Sequence, residues 1–124
     1  MPRARCLPLP LLPADWPDAL ALTKSGEMAA CYAIEASLHL VAAREAAQRG
    51  ASAIRKGDRC AARIGTQRAA AEATMAVLVA IQAETWLAGQ QAPSRLALEG
   101  ARLARLCASV ATADAYRIRQ TVIG

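Results

Sequence analysis

Alanine is the feature that most limits how this chain can fold. Of its 124 residues, 32 are alanine, while Leu, Ile and Val together supply 25 and Phe none. A wide sheet needs β-branched and aromatic side chains on its faces, and here they are scarce. Alanine is the strongest helix former, and its small side chain lets helices approach closely. A chain of this length fits one domain with one core. The composition therefore predicts an all-α fold of tightly packed helices.

Capping signals divide the chain. Asp15, with Asp18 three residues on, predicts the start of a first short helix. Ser25 predicts the cap of a helix over about 27–49, closed by Gly50 after Arg49. Cys31, Ile34, Leu38 and Val41 form its expected buried stripe. Residues 52–88 read as helix throughout, with a kink or break expected at Gly57 or Gly65, each followed by a possible cap, Asp58 or Thr66. Their expected inner face is Ile54, Ala61, Ile64, Ala71, Met75 and Leu78, and the apolar run Met75–Ile81 marks this helix as central. Gly89–Pro93 is the clearest loop. Ser94 then caps a last helix over about 95–118, with Leu96, Leu103, Leu106 and Val110 inward. Pro8, Pro10 and Pro13 break the apolar run at the start of the chain, so residues 2–13 read as extended rather than as an export signal. Such a Leu- and Pro-rich arm packs on its own domain or on a neighbouring subunit. The expected fold is a compact bundle of three long helices plus a short N-terminal helix, preceded by an extended Pro-rich arm. In domain terms this is an arm over 1–13 and one helical-bundle domain over 14–124. No segment is long and apolar enough to span a bilayer, and the expected location is cytoplasmic.

Little in the sequence supports catalysis. The chain has one histidine, His39, set at helical spacing beside apolar residues in LHLV, where a structural role is expected. The order His39 before Arg44 is the reverse of the Arg-then-His motif of small HEPN-type ribonucleases. Cys6, Cys31, Cys60 and Cys107 are far apart, with no C-x-x-C pair, so they read as reduced, mostly buried thiols rather than zinc ligands. The expected catalytic, metal and cofactor assignments are all none. The segment 101–120 resembles a helix-turn-helix reader only superficially, because Asp114 falls where the recognition helix needs a buried Val or Ile. An unpaired charge there would cost several kcal/mol.

Charge is the remaining signal. The formal net charge is +5. Residues 44–68 hold seven basic groups against Glu45 and Asp58, a net of +5, while the other 99 residues balance eight against eight. Thirteen of the fifteen basic residues are Arg, whose planar fork suits phosphate. Arg55, Arg59 and Arg63 repeat every four residues, with Lys56 beside them and Arg68 partly off the line. Arg95, Arg102 and Arg105 share a face of the last helix and would flank one groove with the stripe if the two helices were neighbours. Three readings stand: a site for a polyanion, a solvated face, or a surface for an acidic protein partner. Local carboxylates are too few to pair these cations, and unpaired like charges at i, i+4 are mildly destabilising, which favours an external anion. With two Trp and two Tyr, none inside the basic stretch, the chain has no base-stacking platform there. The expected contact is with a phosphate backbone, insensitive to sequence and weakened by salt.

In size, helicity and this Arg pattern, the body of the chain over about 26–119 resembles the small subunits of RNA-guided CRISPR effector complexes. The Arg55/Arg59/Arg63 stripe with Lys56, and the Arg102/Arg105 face, carry the likeness. The resemblance implies a non-catalytic subunit of a ribonucleoprotein complex, serving antiviral defence. Copies of such a bundle line a backbone filament and offer RNA or single-stranded DNA a positive wall. Its implied partners are nucleic acid and other protein subunits, including copies of itself. A helical protein that binds only protein, such as a phage assembly factor, a chaperone or an inhibitor, is the alternative.

Overall fold

The computed structural model describes residues 28–123, and the expected arm and short first helix lie outside them. Three helices follow in order: α1 (Met28–Arg55), α2 (Arg59–Ala88) and α3 (Arg95–Ile123). Each packs against the other two. The described residues contain no strand, and none of the helices is long and apolar enough to cross a membrane. The all-α bundle expected from the alanine content is the fold observed.

The helix ends show why the chain turns where it does. At the end of α1, the amide of Asp58 donates to the Ala53 carbonyl (2.9 Å) and that of Gly57 to Ile54 (3.0 Å). This is a Schellman cap, and it puts Gly57 at φ +75°, where a side chain would be strained. Asp58 then caps α2, its Oδ1 accepting from the Ala61 amide at 3.0 Å. Ser94 does the same for α3, accepting from Ala97 at 3.1 Å. The chain thus breaks at Gly57 and runs unbroken through Gly65.

Gly50 does not end α1, contrary to expectation. It is buried in the helix interior and faces Gly65. A Cβ at Gly65 would lie 2.8 Å from both the Cα and the amide nitrogen of Gly50 and 2.9 Å from the Ala46 carbonyl oxygen. The two glycines are where the α1 and α2 backbones touch.

Close approach also explains why the expected inner faces are wrong. Sixteen of the 21 buried apolar residues described are alanine; the others are Leu40, Val79, Leu103, Cys107 and Ile118. The inward side of α2 is Ala62, Gly65, Ala69, Ala73, Ala76, Val79, Ala80 and Ala83. Ile64 (61%), Met75 (43%) and Leu78 (47%) are exposed instead, as is Ala71, while Ile54 and Ala61 are half-buried. On α1, Leu38 is exposed and Cys31, Ile34 and Val41 are half-buried, whereas Ala33, Ala36, Ser37, Leu40 and Ala43 are buried. On α3, Leu103 is buried and Leu96 and Val110 half-buried, but Leu106 is exposed. Helices that meet along alanine come too close for larger side chains to fit between them, so these point outward.

Candidate nucleic-acid interface

Of the twelve described basic residues, five are paired with carboxylates, five gather at one turn outside any ion pair among the described residues, and Arg102 and Arg119 on α3 are likewise exposed and in none. Arg44 donates from Nε to Asp114 at 2.9 Å, and Arg117 binds the same carboxylate. Arg68 reaches Glu72 at 3.3 Å, Arg95 reaches Glu99 at 2.9 Å, and Arg105 binds Glu84. Asp114 is 91% buried as a result of the packing of α3 on α1. Its two arginines supply the pairing that an ionised carboxylate needs in such a place. Its charge therefore serves the packing of α1 on α3.

No ion pair among the described residues engages Arg49, Arg55, Lys56, Arg59 or Arg63. All five are exposed, and they gather where α1 turns into α2. The break at Gly57 changes the expected geometry. Arg55 and Lys56 close α1 while Arg59 and Arg63 open α2, so the cations surround a turn rather than line one helix. Arg55 sits favourably at the negative end of the α1 dipole. Arg59 sits at the positive end of α2, where a cation is disfavoured, and the first turn of α2 contains no acidic residue. Arg59 and Arg63 line a cleft of about 470 Å³ with Ile54, Gly57, Ala62, Thr121 and Val122. Local stability does not account for Arg59 or Arg63.

Arg68 continues the patch but is partly occupied by Glu72, a carboxylate that also receives His39 Nδ1 at 2.7 Å. The hydrogen bond with His39 holds the Glu72 carboxyl below its ordinary value; burial opposes this and Arg68 assists it. His39 thus links α1 to α2 through Glu72. Arg102 and Arg105 lie elsewhere. The helices that carry them are neighbours, but Arg105 is bound to Glu84, 21 residues beyond Arg63 on α2. At 1.5 Å per residue this is about 32 Å along the bundle, so the two basic faces do not flank one groove. Arg49 was not in the expected set because it falls outside the i, i+4 stripe. The excess of charge over 44–68 was the signal for it.

The thiols differ from one another. Cys107 is buried, and burial pushes its thiol up to about 11; Cys31 is half-buried, and Cys60 is exposed beside Arg59. None of the three is in a disulfide. Among the described residues no group of three or more His, Cys, Asp or Glu side chains is placed to hold a metal ion. No family model, curated protein or solved structure matches the chain.

Proposed function

We propose that this chain is a non-catalytic helical subunit that contacts a nucleic-acid phosphate backbone, RNA or single-stranded DNA, within a multi-subunit complex. The contact is made by the end of the bundle where α1 turns into α2. One observation carries the reading: Arg55, Lys56, Arg59 and Arg63 are exposed together with no carboxylate among the described residues to pair them, while five other arginines are paired. Arg49 extends the patch and Arg68 borders it. Small subunits of RNA-guided CRISPR effector complexes work in this manner, and the resemblance in size and charge pattern is the reason for naming a ribonucleoprotein assembly. In that reading Arg102 and Arg105 serve a second, separate contact at the opposite end.

No aromatic side chain lies in the patch, so binding depends on charge and little on base identity. Changing Arg55, Arg59 and Arg63 together to Glu is expected to abolish gel-shift association with single-stranded RNA at low salt, with helicity by circular dichroism unchanged. Undiminished binding by the triple variant would remove the proposal.

A further inference from the structure

The groove between α2 and α3 continues the basic turn. The cleft that holds Arg59 and Arg63 has Thr121 and Val122 of α3 on its other side. A second cleft, of about 360 Å³, lies between Ala70, Thr74 and Val77 of α2 and Thr112, Tyr116 and Arg119 of α3. At 100° per residue, Arg59, Arg63, Ala70, Thr74 and Val77 fall within about 60° of one another on α2. Val122, Arg119, Tyr116 and Thr112 follow each other at three-and-four spacing on α3. The two clefts are therefore successive lengths of one groove. With Arg105 bound to Glu84 and Arg119 beside Ala70, α3 runs antiparallel to α2. Arg119 thus stands about 10 Å along the bundle from Arg63.

The second cleft has a different chemistry from the first. Tyr116 is 62% exposed. Tyr32 and Trp86 are half-buried, so Tyr116 presents the only exposed aromatic ring among the described residues. A ring at the surface gives up the burial through which aromatic residues stabilise a core. No carboxylate side chain among the described residues lines either cleft. No ion pair among them engages Arg119. A cationic track that leads to an exposed ring is what a single-stranded nucleic acid requires: charge for its backbone and a π-face for a base.

We propose that a single strand held at the basic turn runs on along the α2–α3 groove and stacks one base on Tyr116. Resting on the phosphate-backbone contact proposed above, this adds the direction of the strand and a contact that is not ionic. Arg119 keeps the second cleft positive. Every base has a face to stack, so Tyr116 raises affinity without reading sequence.

The test titrates the full-length protein with a short oligo(A) at low salt. Tyr116→Ala is expected to weaken binding by about fivefold to a hundredfold, and Tyr116→Phe to keep it. Neither change should alter the slope of log K against log salt, because no phosphate contact is lost. Tyr116 is exposed, so helicity by circular dichroism should hold in both variants. In the unaltered protein, the Tyr116 ring protons should move upfield in NMR spectra on adding oligo(A), and those of Tyr32 should not. If Tyr116→Ala disturbs folding, these ring shifts decide. Undiminished binding by Tyr116→Ala, where Arg55→Glu/Arg59→Glu/Arg63→Glu abolishes it, overturns this proposal and leaves the backbone contact standing. A loss that Tyr116→Phe shares, or a Tyr116 ring that oligo(A) does not shift, also overturns it. Absence of binding by the unaltered protein overturns both.

Discussion

The two halves of α2 share one inward face and have opposite outward ones. Inside, Ala62, Gly65, Ala69, Ala73, Ala76, Ala80 and Ala83 continue along the whole helix. Outside, the first ten residues present Arg59, Arg63 and Arg68, whereas beyond Arg68 no exposed residue is charged. Packing on α2 is thus satisfied by small residues and Val79, and the outer surface is free to carry other requirements. Neither half helps the bundle by itself: unpaired like charges repel, and exposed Leu78 and Ile81 gain nothing from burial. The proposed occupant of the basic half is a polyanion.

Exchanging the perturbations separates the halves most sharply. Arg55→Glu/Arg59→Glu/Arg63→Glu should reduce RNA binding to background, while Leu78→Glu/Ile81→Glu should leave it unchanged; filter binding of both variants at the same low salt reads the difference. If the apolar-half variant lost binding equally, the two halves would not be independent.

The shared inward face is tested by Gly65→Ala. Its new Cβ would press on backbone of Gly50 and Ala46, so chemical denaturation should show a loss of about 1–3 kcal/mol. The gain of about 1 kcal/mol for Ala over Gly in a helix offsets this only in part. At Gly50 the nearest atom is Ile118 Cγ1 at 3.2 Å, side chain rather than backbone, so Gly50→Ala should cost less than Gly65→Ala.

The smallest effect is expected at the junction. Because the Glu72 carboxyl titrates below its ordinary 4.5, its contribution to stability is present above pH 4.5 and is lost as pH falls through the folded-state value. Glu72→Gln should flatten the acid limb of the stability profile below pH 4.5 by about 0.5 kcal/mol, measured by urea unfolding at several pH values. An unchanged acid limb would remove the Glu72–His39–Arg68 cluster from the account.

Helix positions were legible wherever a cap or turn residue acts locally. Asp58, Ser94 and the Gly89–Pro93 loop were read correctly because the chemistry that stops or starts a helix lies within a few residues. Gly50 misled because a glycine after Arg49 has the local pattern of a C-cap, and only the α1–α2 contact shows its purpose. The inner faces were misread for a related reason. Large apolar residues were assigned to the core, although Ala62, Gly65, Ala69, Ala73, Ala76, Ala80 and Ala83 follow an equally regular three-and-four spacing. For the basic site, the charge excess over 44–68 located the patch. It took tertiary contacts to separate the paired Arg44 from the unpaired Arg49, Arg55, Lys56, Arg59 and Arg63, and to set Arg105 apart with Glu84, whereas Arg68 is paired within α2 at i, i+4.

The central claim is that the unpaired cations around Gly57 hold a phosphate backbone, and the salt dependence of binding tests it most directly. With four of these cations each neutralising a phosphate on a single strand, log K should fall against log salt with a slope of about −3. The slope should be the same for oligo(U) and oligo(A), and the triple Glu variant should show no measurable association. A flat salt profile, or binding that distinguishes the two homopolymers strongly, would contradict it.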